Sequence, residues 1–342
     1  MNARIVLLAA LLLAAASLSA QDAKNVQILK GMTPTQLQRT MNFMRASLGV
    51  HCDYCHVVSE EKGWDFASDA KPEKEAGRRM IRLVMDMNAK YFEGHNTVTC
   101  NTCHRGSIRP VGMVSLPQAQ PPFPTPVPER PTLPTRDEVI AKYAAAVGKV
   151  DEKALASMTL TGTREAPDGK TAPFTIQVIP RNLRIDSADR VTVLTPDGAW
   201  SKDDKGVRAV PRQVEHLSQL NDAFRFIMPK DIAANARVIR KEKIGDRDVF
   251  VVQTPATETA PRQRFSFDAQ SGLLLRRVSY MASPIADVPL QTDYSDYREI
   301  GGMKLPFTIR VDSVDPWIGA TRRFAEIRLG ATPDPSLFVM PK

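Results

Sequence analysis

Hydrophobic and polar positions change rhythm twice along the chain. An apolar opening run, "IVLLAALLLAAASLSA" (5–20), gives way to a helical pattern. Leu37, Met41, Met44 and Leu48 recur every three to four positions and so share one face of a helix. Thr33 and Pro34 supply a capping hydroxyl and a first-turn proline at its start, and Gly49 closes it. The pattern repeats from Pro72, with Glu73 and Glu75 in the first turn. There Met80, Leu83, Val84 and Met87 share a face, the helix runs to about Phe92, and Gly94 ends it.

Beyond residue 157 the period falls to two. "MTLTGTRE" (158–165), "DVFVVQT" (248–254), "RQRFSFDAQSGLLLRRVSY" (262–280) and "DYREIGGMKLPFTIRV" (296–311) alternate apolar and polar positions. Gly245-Asp246, Gln270-Ser271-Gly272 and Gly301-Gly302 supply hairpin turns. A helix precedes them, opened by a capping box of Thr135 with Glu138 and running through Tyr143 to about Val147. One more helix is expected at about 212–226. Successive hairpins with few helices predict an α+β domain built on a strongly curved antiparallel sheet.

Nine prolines fall between Pro110 and Pro134, so that stretch reads as an extended, semi-rigid spacer. The predicted organisation is a signal peptide at 1–20, an α-helical segment at 21–109, a proline-rich linker at 110–134 and a β-rich domain at 135–342. Arg4 ahead of the apolar run, and small residues before Gln21, mark the signal peptide; the run is short for a bilayer span. No cysteine ends the run to serve as a lipoprotein acylation site. The expected location is periplasmic or extracellular. Composition is that of an ordinary globular protein, 43% hydrophobic and 25% charged, which excludes wholesale disorder. The formal charge of +8 favours an acidic partner or anionic surface. No basic cluster interleaved with aromatics points to nucleic acid.

The chemistry is concentrated in four cysteines, all in two copies of one motif: Cys52-x-x-Cys55-His56 and Cys100-x-x-Cys103-His104. Four thiols could close a tetrahedral zinc site. However, Cys55 and Cys100 are 45 positions apart, against roughly 15–20 in a compact zinc ribbon. A zinc knuckle or a redox dithiol also has no use for a histidine directly after each second cysteine. Covalent haem does: two thiols form thioethers to the vinyl groups, and the adjoining imidazole reaches the iron from one face. Two haem c groups are therefore expected, on Cys52, Cys55, Cys100 and Cys103, with His56 and His104 as proximal iron ligands. Haem c is attached outside the cytoplasmic membrane in bacteria, which agrees with export.

Each motif follows a helix, so a helical methionine is a candidate for the opposite face of each iron. Met41 and Met80 compete there with Met44, Met85 and Met87, and helical methionines are often core filler. His51 and His95 are further candidates, more readily read as solvated or propionate-contacting. Arg78, Arg79 and Arg105 are placed to pair with propionates or to form a solvated basic face. His216 stands alone in the second domain and reads as structural.

"NVQILKGM", "LGVHCDYCH", "RRMIRLVMDMN" and "VTCNTCHRG" together resemble the cytochrome c subunit of photosynthetic reaction centres and its shorter two-haem relatives, over about residues 25–109. The resemblance implies an α-helical multihaem cytochrome domain. Each haem unit in it is a helix with an axial methionine, a turn, then the motif. It thereby implies Met41 and Met80 as distal ligands. The reaction-centre subunit carries four such motifs and this chain two.

The β-rich domain, with its ending "PDPSLFVMP", resembles the outer-membrane lipoprotein-sorting fold, a half-open barrel with an apolar concave side. That resemblance implies either a lipid- or quinone-like ligand or a docking scaffold. The domain has no nucleophile motif or phosphate loop. The expected function is electron transfer to redox partner proteins, with no catalytic residues. The alternatives are a peroxidase-like haem enzyme with one five-coordinate iron, or a lipid-binding protein with accessory haems.

Overall fold

The structure is a computed structural model that describes residues 24–110, 112–114, 116–120, 132–210, 226–257, 260–314 and 319–341. The expected signal peptide, the helix at about 212–226 and His216 lie outside these residues. The chain divides into two compact units. One comprises 1–114 with 283–287, and the other 115–282 with 288–342.

In the first unit the predicted helices form where the capping residues place them. Helix α1 spans Pro34–Leu48; Thr33 and Gln36 close a reciprocal capping box at its start, and Gly49 turns left-handed at its end. A single helical turn at Cys52–Tyr54 carries the first motif. A hairpin not foreseen in the sequence follows: β1 (Val57–Ser59) against β2 (Gly63–Asp65), with Val58 opposite Trp64. Helix α2 spans Pro72–Tyr91, and the five-residue helix α3, Cys100–His104, is the second motif itself. The unit's core gathers Leu29, Ile81, Val84, Cys100 and Ile285, with Met41, Met44 and Met85 packed against it. Asn96 donates to the Ser283 carbonyl (2.9 Å) and the Asp287 carboxylate (3.1 Å) at the unit's second segment.

In the second unit thirteen strands pair antiparallel among the described residues. They form two meanders. Six strands run in chain order from Met158–Glu165 out to an edge at Gly206–Val210, and seven run inward from an edge at Arg237–Ile244 to Ala320–Leu329. The seam pairs Ala320–Leu329 with Met158–Glu165. The described pairings leave the sheet open at both edges. Helix α4, Arg136–Val147, begins at the predicted Thr135–Glu138 box and lays Val139, Ile140, Tyr143 and Val147 on the sheet. Tyr143 meets Phe267 with ring centroids 5.0 Å apart. Leu160, Ile176, Leu305 and Ile309, all fully buried, form the floor beneath that helix-covered core. No helix among the described residues is long and apolar enough to cross a membrane.

Candidate haem-attachment sites

Both motifs wind into a helical turn, and that winding makes a site of them. In the second, Cys100–His104 is helical, so Cys100, Cys103 and His104 stand at i, i+3 and i+4 on one face. In the first, the His56 N–H bonds to the Cys52 carbonyl at 3.0 Å, the same i to i+4 closure. None of the four cysteines is in a disulfide.

A zinc knuckle needs thiolates. Burial, reinforced by Glu73, raises the Cys55 thiol above its ordinary value, and burial raises Cys100. Among the described residues no three His, Cys, Asp or Glu side chains converge as a metal cage. The two cysteine pairs thus stand as separate sites.

The two motif histidines sit in different settings. His104 Nδ1 lies 3.0 Å from the Ser107 carbonyl oxygen, so an Nδ1–H donates there and the Nε2 lone pair is left for a metal. His56 is half-buried; burial first, then the Lys74 ammonium, holds it below the usual imidazole range and keeps it neutral. Its Nδ1 is buried with no hydrogen-bond partner among the described residues.

The helices leading into the motifs carry unusual faces. In α1 the buried positions are polar (Arg39, Thr40, Asn42 and Ser47), while Leu37, Met41, Met44 and Leu48 are only half-buried. Thr40 and Ser47 spend their hydroxyls on the carbonyls of Gln36 (2.9 Å) and Phe43 (2.8 Å), which lets them be buried. In α2 the expected face splits. Ile81, Val84 and Asn88 are buried, whereas Met80 is 45% and Leu83 50% exposed, with Met87 half-buried on the same stripe. Methionine-bearing apolar stripes left uncovered beside haem motifs are what a flat apolar macrocycle would cover. The residues present fit the group.

Met41 packs in the same apolar cluster as Cys100, together with Met44 and Met85, while Met80 lies outside that cluster. His51 and His95 are exposed. Arg78 is not free for a propionate: it is buried and pairs with Asp69 (2.8 Å) and Glu75 (3.2 Å). Arg79 and Arg105 are exposed.

Two positioning contacts had no signal in the pattern of the sequence. Asn88, buried near the end of α2, donates to the Val98 carbonyl (2.7 Å) and accepts from the Val98 N–H (2.9 Å). It thereby ties the helix to the strand of chain entering the second motif. Lys74 bonds to the carbonyls of Phe66 (2.9 Å), Ala67 (3.0 Å) and Ser68 (2.8 Å), fixing the loop that follows the first motif's hairpin.

In the second unit a small pocket is lined by Tyr143, Ile227, Leu274, Tyr297, Leu305 and Pro306 among others. Tyr143 donates to the Ile227 carbonyl and Tyr297 to that of Leu274 (2.7 Å). Burial raises both phenols, so their hydroxyls stay protonated and the walls offer mainly apolar contact.

Comparison with known proteins bears on the first unit. Cytochrome c-554 of Chloroflexus aurantiacus is 41% identical over 90 residues, covering 24% of this chain and 20% of that protein. The photosynthetic reaction center cytochrome c subunit of Thermochromatium tepidum is 36% identical over 91 residues, covering 25% and 21%. The chain thus spans about a fifth of the length of these curated relatives. A solved LolA superfamily protein from Nitrosomonas europaea is 13% identical with a TM-score of 0.39, covering 60% of this chain and 98% of that one. Residues 9–122 match the family model of the photosynthetic reaction centre cytochrome C subunit, and the resemblance read from the motifs holds over that third of the chain.

Proposed function

We propose that the protein is an exported two-haem c-type cytochrome that passes electrons between redox partner proteins. The observation that carries this reading is the pair of Cys-x-x-Cys-His turns, each following a helix whose methionine-bearing stripe is incompletely buried. Similarity to the reaction-centre cytochromes supports it.

Cys52, Cys55, Cys100 and Cys103 would hold the haems covalently, His56 and His104 would ligate the irons, and Met41 and Met80 would take the opposite faces. When bound, haem iron supplies a one-electron ferric–ferrous couple. The chain's own part would be to supply a histidine and a methionine to each iron, leaving no site open to substrate, and to exclude water. Thioether ligation would place the potentials towards the high end for cytochromes. Export by the 1–20 segment would deliver the chain to the periplasm or beyond.

The second unit is read as an antiparallel sheet, open at both edges, acting as a docking scaffold, with binding of a lipid- or quinone-like molecule as the alternative. The linker at 110–134 would separate it from the haem domain.

The deciding experiment is an absorption spectrum of the purified ferrous holoprotein with and without carbon monoxide. Unchanged low-spin spectra are expected. Ready carbon monoxide binding would replace this reading with a haem enzyme bearing one five-coordinate iron.

A further inference from the structure

The loop after the first motif holds two aromatic rings in the open, and the energetic logic of that arrangement is local. Phe66 is 55% and Trp64 48% exposed, so neither contributes to a core. The two rings are nonetheless stacked, with centroids 5.4 Å apart and planes within 3° of parallel. Phe66 in turn meets the His56 imidazole edge to face, at 5.1 Å and 73°. Its backbone is clamped on both sides. Lys74 Nζ donates to three successive carbonyls starting at Phe66, and the Asp65 carboxylate accepts from the N–H groups of Ala67 and Ser68, both at 3.0 Å. Lys74 is itself anchored to Asp69 at 3.1 Å. Six successive positions, 64–69, together with Lys74 thus serve to hold one ring against one imidazole.

The second motif offers the comparison. There a backbone carbonyl, that of Ser107, fixes the His104 ring through Nδ1. His56 Nδ1 has no such partner among the described residues, and the polar contact to the ring is a hydrogen bond with the Phe66 backbone, so Phe66 meets the imidazole with both its backbone and its ring. An imidazole that ligates a metal must be held in one orientation, and the usual device is a hydrogen bond to its other nitrogen. An edge-to-face aromatic contact is directional enough to reinforce the Phe66 backbone bond in that role.

We propose that Phe66, braced by Trp64 and the Lys74 clamp, is a positioning residue that sets the ring orientation of the proximal histidine of the first haem and keeps water from it. The inference rests on the reading of His56 as an iron ligand. Loss of the ring admits water beside the imidazole and lets it rotate. Solvent exposure stabilises the more highly charged ferric state, so the first haem's potential falls. The second haem, whose ligand is fixed by Ser107, does not respond.

The test uses the full-length holoprotein and its Phe66→Ala, Phe66→Tyr and Trp64→Ala variants. Haems are counted by intact mass, potentials are measured by spectroelectrochemical titration, and ligand geometry is read from the low-spin electron paramagnetic resonance signals. In Phe66→Ala one potential falls and one low-spin signal shifts while the other haem keeps both values. Phe66→Tyr restores the wild-type values, and Trp64→Ala shifts the same haem by less. A purely structural role would instead move both haems together or only the melting temperature. Should Phe66→Ala fail to retain haem, Trp64→Ala decides: a selective shift of one haem supports the proposal, and unmoved signals overturn it. Unchanged potentials and signals in Phe66→Ala overturn it outright. A wild-type protein with no haem on Cys52 and Cys55 overturns the underlying assignment instead.

Discussion

Gly49, which closes the first helix, lies against the backbone of Gly106, two residues past the second motif. A Cβ on Gly49 would stand 2.1 Å from the Gly106 carbonyl oxygen, and the Gly106 N–H bonds to the Ser47 carbonyl at 2.8 Å. The end of one repeat is thus keyed onto the motif of the other, and only a residue without a side chain permits it. Gly49 is also left-handed, with φ of 67°. Gly49→Ala should therefore destabilise the haem unit by about 2 kcal/mol, from strain and the displaced contact together. Thermal unfolding followed by Soret absorbance measures this; an unchanged melting temperature would show that the two segments can separate freely.

Covalent attachment has a direct readout. Exported with the haem maturation machinery, the protein should carry two added haem masses. Cys100→Ser with Cys103→Ser should remove one of them and lower stability, because Cys100 is part of the buried cluster of its unit. Bound zinc, or a single haem in the wild type, would contradict the assignment.

Distal ligation separates Met41 from Met80. Met80 is largely exposed, whereas Met41 is packed among core residues. Met80→Ala should leave folding nearly untouched, yet halve the thioether-to-iron charge-transfer band, lower one potential and open that iron to carbon monoxide. Met41→Ala should do the same to the other haem, with a stability loss of about 2 kcal/mol from the vacated space. Should the band persist in the double variant, Met44, Met85 or Met87 must be the ligands.

Local chemistry was legible in the chain, and distant pairings were not. Thr33–Gln36 and Thr135–Glu138 announce helix starts because a capping box lies within four residues. Gly245-Asp246 and Gly301-Gly302 announce hairpins for the same reason, and the strands on either side pair as expected. The strands between Thr171 and Val210 went unread. Most are short, and where charges fall in them they pair locally, as Arg184 does with Asp186 at 2.7 Å, which blurs the alternation. At the sites, the motif residues and their order could be read, but the Asn88 and Lys74 contacts and the hairpin bearing Trp64 depend on chain segments brought together only by folding. The shared helical face of Met80, Leu83, Val84 and Met87 was half right. Val84 turns to the core, while Met80 and Leu83 turn away from it.

Acid sensitivity should trace to Asp69. Hydrogen bonds from Arg78, then Asn25 and Lys74, hold its carboxyl well below the usual carboxylate range. A folded-state pKa depressed in this way contributes stability that is fully present above the unfolded value, about 4, and is lost as pH falls towards the folded value. Asp69→Asn should lower the melting temperature at neutral pH, and the gap from wild type should narrow steadily below about pH 4. A gap that stays constant into strong acid would assign the stabilisation to packing rather than charge.

The tie between Asn88 and Val98 makes the strongest claim on how the second site is built. Asn88 is buried and gives both its amide donor and its acceptor to one residue's backbone, two positions before Cys100. No other amino acid of that length offers both a donor and an acceptor at those places. Asn88→Ala strands a carbonyl and an N–H in a partly buried setting, at a cost of about 2–3 kcal/mol. Asn88→Asp keeps the acceptor for the Val98 N–H but sets a carboxylate against the Val98 carbonyl, so it should be at least as damaging. The consequence for the site follows from position. The same helix carries Met80 two turns earlier, so a loosened Val98 lets the second motif drift relative to Met80, the proposed distal ligand. In both variants the second haem should remain attached, since its thioethers do not depend on Asn88, but its thioether charge-transfer band should weaken and carbon monoxide should gain access to that iron alone. Melting curves, the near-red spectrum and carbon monoxide titration test the three consequences separately. A variant that loses stability while keeping its ligation band would reduce Asn88 to a structural clamp, and one that loses neither would remove it from the site.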